Sequence, residues 1–186
     1  MKRGAPALVL FFILLHTGGP ILGQGVAPSG PKKARTPEDY QTRTLKDLDG
    51  IKAESGLGDK QERLIVHAAI LPSRVRLVYG GATRELPWIK KEVIRQWARL
   101  YAGNPDHYTK PYETELLFEE AGVHHWIAVP ERSLPQLQEK LKKGDDVELF
   151  LIRLGKAQNG GVWESVLLVE NFALPAVSLV QSRLVR

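Results

Sequence analysis

Apolar residues crowd the chain from about Arg63 onward, and they recur with two different periods. In "RVRLVYGG" (74–81), Val75 and Leu77 alternate with Arg74 and Arg76. Neighbouring side chains on a strand point to opposite faces, so this alternation predicts a half-exposed strand. "RLIVHAAIL" (63–71) is equally aliphatic, and Pro72 separates the two runs. Because proline interrupts a ladder, the pair predicts either two strands or one long strand bent at Pro72–Ser73.

The period changes in "LPWIKKEVIRQWARLYAGNP" (86–105). Ile89, Val93, Trp97 and Leu100 recur at helical spacing and form one apolar stripe, with Lys91, Arg95 and Arg99 opposite. A helix over 87–102 follows, ended by Gly103 and Pro105. Its basic side is what any solvated helix face shows.

"YETELLFEE" (112–120) and "VHHWIAVP" (123–130) return to strand character around Ala121–Gly122. A two-residue turn there sets Phe118 against His125, Leu116 against Ile127, Glu119 against His124 and Leu117 against Trp126. That register gathers Leu116, Phe118, Ile127 and Val129 on one apolar face. Alanine is a poor first residue for such a turn. A three-residue turn with Gly122 left-handed would slip the register by one and scramble the faces. The hydrophobic pattern favours the two-residue turn.

"SLPQLQEKLKKGDD" (133–146) predicts a short helix with Ser133 as N-cap, Gln136 completing a capping box, and Leu134, Leu137 and Leu141 facing inward. Two further strands, "DVELFLIRL" and "VWESVLLVENF", flank "GKAQNGG", which signals a turn. The glycine pairs of "YGGAT" and "QNGG" have no lysine after them and also read as turns, not phosphate loops.

This order predicts a β-rich α+β domain. It is a small five-stranded OB-like barrel with two helices, one inserted after the first strand and one between the third and fourth. An SH3-like barrel or an open α+β sheet is the alternative.

The N-terminus reads differently. Lys2 and Arg3 precede an apolar run from Ala7 to Leu15, and "GGP" follows at Gly18–Pro20. This is the pattern of a secretory signal peptide over 1–23. The run is shorter than the roughly 20 residues of a membrane span. Residues 24–60, rich in Pro, Gly and mixed charge, read as a flexible spacer. Within them Thr36 and Pro37 could start a helix whose stripe would be only Tyr40, Leu48 and Ile51, so the segment is expected to be disordered or only weakly docked. The globular domain is expected over 61–175 and a tail over 176–186.

Charge and cysteine content narrow the function. The net charge is +5, yet residues 61–175 hold fifteen Lys/Arg and fifteen Asp/Glu. The expected domain is therefore neutral, which argues against a nucleic-acid partner. With no cysteine, thiolate catalysis, cysteine-ligated metal and disulfides are excluded.

Candidate chemistry is sparse. Adjacent strand residues face opposite ways, so His124 and His125 cannot both ligate one ion, and zinc wants three or four ligands. A structural role in the hairpin is expected for both, with no metal and no cofactor. The loop "AGNPDHYTKPYE" (102–113) gathers Asp106, His107, Tyr108, Lys110 and Tyr112 and is the expected ligand-binding segment. Taken together, the chain reads as an exported, periplasmic or extracellular, non-enzymatic binding module. Its partner would be another envelope protein or a glycan. The alternatives are an envelope enzyme with a site near Asp106 and His107, and an OB-type binder of single-stranded nucleic acid.

Overall fold

The computed structural model describes residues 35–50 and 63–174; the expected signal peptide and C-terminal tail lie outside them. The elements run β1 (Gln41–Thr42), α1 (Leu45–Gly50), β2 (Leu64–Val66), β3 (Ser73–Glu85), α2 (Trp88–Trp97), α3 (Pro105–Thr109), β4 (Thr114–Glu120), β5 (Val123–Val129), α4 (Leu134–Lys140), β6 (Asp146–Asn159) and β7 (Val162–Ala173).

Five of these strands close on themselves. β3 pairs antiparallel with β4, β4 with β5, and β6 with both β7 and β3. β5 and β7 meet in parallel at Ala128 and Leu168, which completes the circuit. The inserted α2 lies between the first and second barrel strands, and α4 between the third and fourth. This is the expected OB-type element order in a closed, mixed barrel. β1 and β2 add to its edges.

β3 serves two neighbours because it bends. Ser73–Val78 pairs with β6 and Val78–Glu85 with β4, with a register shift between Tyr79 and Thr83. The glycine pair expected to be a turn is this bend. Gly81 is left-handed (φ 76°), and a Cβ on Gly80 would come 2.8 Å from Cγ of Leu117. A bulge of this kind turns a strand without ending it. Both readings of the first strand are partly realised. β2 and β3 are separate, yet both lie antiparallel along β6, with 67–72 between them.

The β4–β5 hairpin has the two-residue register, with Leu116 opposite Ile127, Phe118 opposite His125 and Glu119 opposite His124. Ala121 takes φ 51° and Gly122 φ 82°, as a type I′ turn requires. Burying four apolar side chains outweighs one alanine in a left-handed conformation. Gly160 and Gly161 (φ 57° and 85°) make the equivalent turn between β6 and β7, and β6 continues through "GKAQN".

Two apolar layers result. The barrel interior packs Val75, Leu77, Leu116, Phe118, Ile127, Leu149 and Val169. Leu137 of α4 and Leu141, which follows it, join this layer, although Ser133 makes no side-chain cap to its helix. The second layer sits outside the barrel, where Ile89, Val93, Ile94 and Trp97 of α2 cover Ala128, Ile152, Leu154, Val166 and Leu168.

Three expectations need correction. Leu100 is not on the buried stripe; it is 46% exposed, and Ala98 is buried instead. After Trp97 the helix widens into a π turn, Ala98–Ala102, and the changed periodicity rotates Leu100 outward. The described part of the expected spacer, residues 35–50, packs on the domain. Leu45 and Leu48 lie in the barrel core, and Glu120 accepts hydrogen bonds from the Leu45 N–H (2.9 Å) and Lys46 N–H (3.3 Å) at the start of α1. Tyr40 stacks edge-on against Phe150 and donates to Glu170 (2.7 Å), which also pairs with Arg35. Two described members of the thin stripe, Tyr40 and Leu48, are buried, and Ile51 lies outside the described residues. Finally, the Thr36 cap and Pro37 begin only a single 3₁₀ turn, Pro37–Asp39.

Candidate functional site

α2 is held to the barrel by more than apolar contact. Lys90 stands three, four and seven residues before Val93, Ile94 and Trp97, on the same arc of the helix, and only 1% of it is exposed. Its ammonium contacts Glu115 Oε1 (2.6 Å) and Glu164 Oε2 (2.8 Å) and donates to the Trp126 carbonyl (3.4 Å). Three donors thereby meet three acceptors.

Arg84 completes the network. It is the cross-strand neighbour of Glu115, pairs with it at 2.6 Å and also binds Glu164. Its guanidinium lies 4.4 Å from the centre of the Trp126 ring, within the range of a cation–π contact. Asn159 donates to the remaining oxygen of Glu164 (3.2 Å). Two cations and two carboxylates therefore alternate in a neutral quartet on the outer side of the barrel.

The chemistry of this quartet is restrained. Burial alone would raise the Glu164 carboxyl pKa, but hydrogen bonds from Lys90 and Arg84 outweigh it and hold the group below its ordinary range. A carboxylate kept ionised by two cations is a weak general base and a poor acid near neutral pH. Glu115 is as sealed as Lys90, at 1% exposure. What the quartet does is mechanical. It ties the end of β3 and the first turn of α2 to the first residues of β7, just past the Gly160–Gly161 turn.

Those two connections are where five-stranded barrels of this order take ligands, together with the outer face of the second and third strands. Each presents uncovered apolar side chains here: Trp88 is 71% exposed, Val162 64% and Trp163 46%. Trp88 lies two residues before Lys90, and Trp163 adjoins Glu164.

The segment expected to bind ligand forms α3 and its flanks. Asp106 and Lys110 pair with each other at the surface (3.0 Å). His107 is exposed; its backbone N–H donates to Asn104 Oδ1 (3.3 Å), and its ring stands edge-on to Tyr108. Tyr108 packs against Trp97, with centroids 5.1 Å apart. Tyr112 is buried and donates to the Val169 carbonyl (2.9 Å), and burial pushes its hydroxyl pKa up. The structure thus brings Asp106 to Lys110 and His107 to Tyr108, while Tyr112 turns into the core.

His124 and His125 occupy opposite faces. His124 is exposed, 3.5 Å from Glu119, and His125 is half-buried beside α1, where burial lowers its pKa. Among the described residues no three metal-ligating side chains converge. No protein-family model matches the chain, and no curated protein matches it.

Proposed function

We propose that the chain is an exported, non-enzymatic binding module. Its contact surface is formed by the first turn of α2 and the β6–β7 turn. The observation that carries this reading is the exposure of Trp88, Val162 and Trp163 on two connections that a buried ion network holds in place. Apolar side chains uncovered on rigid supports are characteristic of recognition surfaces, and tryptophan dominates contact energies there. α3, with Asp106, His107 and Lys110, belongs to the same insertion and adds polar contacts. The signal-peptide pattern and neutral domain favour an extracytoplasmic partner, a glycan or another envelope protein, over a nucleic acid.

Two measurements test this. N-terminal sequencing of the native protein should find a start near Gln24 or Val26 in an extracytoplasmic fraction; retention of Met1 in the cytosol would remove the export half. Glycan-array and envelope cross-linking signals should be lost in Trp88→Ala/Trp163→Ala while the thermal midpoint stays put. Equal signals in the folded double variant would remove the binding half.

A further inference from the structure

A second charged cluster lies apart from the quartet, and its charges do not balance. Arg153 sits at a bulge in β6, where the pairing with β7 shifts between Arg153 and Gly155. The bulge coincides with a close approach of β2, since a Cβ on Gly155 would stand 1.9 Å from the Ile65 carbonyl oxygen. Only glycine permits that crossing, which brings His67 onto Arg153. The His67 backbone N–H donates to the Leu154 carbonyl (2.8 Å), and its Nε2 lies 3.4 Å from the Arg153 guanidinium. Guanidinium can only donate, so Nε2 is the acceptor and the ring is neutral. Burial and the charges of Arg153 and Lys156 push the His67 pKa down to about 4.

Arg153 itself is 4% exposed, and arginine keeps its proton even there. Among the described residues its Nε–H has no hydrogen-bond partner. The charge of Asp49 acts on it, but Asp49 itself contacts Lys156 (3.4 Å) and the Ser165 hydroxyl, not Arg153. A buried cation whose one hydrogen-bond partner among the described residues is a neutral imidazole is costly, and a buried N–H without an acceptor there adds to that cost.

We propose that Arg153 anchors a binding site for a small oxyanion, a carboxylate or phosphate-type group, with His67 and Lys156 beside it. The unpartnered Nε–H and a terminal N–H form the planar fork that takes two oxygens of such a group. The anion supplies the negative charge that the described side chains do not. This site is independent of the exposed tryptophans, and either can fail without the other.

The test follows the Arg153 Nε–H resonance of the purified full chain, assigned by its loss in Arg153→Lys. Inorganic phosphate and acetate are titrated against chloride at matched ionic strength. The expected result is a saturable shift with phosphate or acetate and a matching rise in thermal midpoint. Arg153→Lys, which keeps charge but loses the fork, should weaken that rise about tenfold or more in affinity. No saturable shift with either anion overturns the proposal, and so does an unchanged midpoint response in Arg153→Lys. If the resonance responds only after Glu54→Gln/Asp59→Asn/Glu62→Gln, the chain's own carboxylate is the partner and the site for a free anion is refuted. Should Arg153→Lys not fold, His67→Gln assigns the resonance by perturbation and the wild-type titration decides.

Discussion

Replacing Lys90 with methionine keeps the length and apolar stem of the side chain and deletes its charge. In the native state this strands Glu115 Oε1, which Lys90 meets at 2.6 Å, and removes the donor from the Trp126 carbonyl. Both Lys90 and Glu115 are 1% exposed, so water cannot replace the lost partner. Breaking a buried ion pair from one side costs about 3–5 kcal/mol. Arg84 still holds the other Glu115 oxygen, which places Lys90→Met near the lower limit, about 3 kcal/mol. The adjacent lysine is an internal control. Lys91 pairs with Glu85 and Glu113 at the surface, where such contacts contribute about 0–1 kcal/mol. Urea unfolding reads the difference. With m of about 1–3 kcal/mol/M, Lys90→Met should lower the midpoint by about 1–3 M at unchanged m, and Lys91→Met far less. Adding Glu115→Gln to Lys90→Met removes the stranded charge and should restore part of the loss. Equal losses for the two lysine variants, or no recovery in the double variant, would refute the quartet as the tie between α2 and the barrel.

Two further outcomes follow from the same packing. The native state holds His67 at a pKa of about 4, below its ordinary 6.5, so it favours the neutral ring. The associated stability is present above pH 6.5 and is lost as pH falls toward 4, up to about 3 kcal/mol. Unfolding free energies measured from pH 7.5 to 4 should fall more steeply in the wild type than in His67→Gln, and parallel slopes would contradict the depressed pKa. Leu48→Ala, truncating a side chain in the barrel core, should cost about 2–5 kcal/mol by urea unfolding. A loss below that range would mean that α1 rests on the barrel without completing it.

Much of the barrel was legible in the residue pattern because the relevant physics is local. Strand alternation and a two-residue turn sufficed for the β4–β5 register down to individual pairs, since a slip by one residue would have turned Leu116, Phe118 and Ile127 to the solvent. The order of strands and helices followed from changes of period, and that order sufficed to expect a five-stranded barrel with helices after its first and third strands. The expectation that His124 and His125 lie on opposite faces needed only the pleat of a strand.

What stayed hidden depends on contacts between segments distant in the chain. Closure through β3–β6 and β5–β7 has no signature in either strand alone. Nor does the bend at Gly80–Gly81, which looks like a turn until β3 must serve two neighbours. Residues 35–50 carry too few apolar side chains to predict their own burial, because the core they enter is built by other elements. The charged residues were least legible of all. Lys90 was visible on the apolar arc of α2, three residues before Val93, but a lysine there reads as a surface residue until Glu115 and Glu164 arrive from β4 and β7. Arg153 falls in the apolar phase of its strand, with Val147, Leu149 and Leu151, where an arginine is out of place, and only the bulge before Gly155 and the crossing of β2 set it beside His67. Periodicity determines which way a side chain points; whether a charge meets its counterion there is decided by which strands become neighbours.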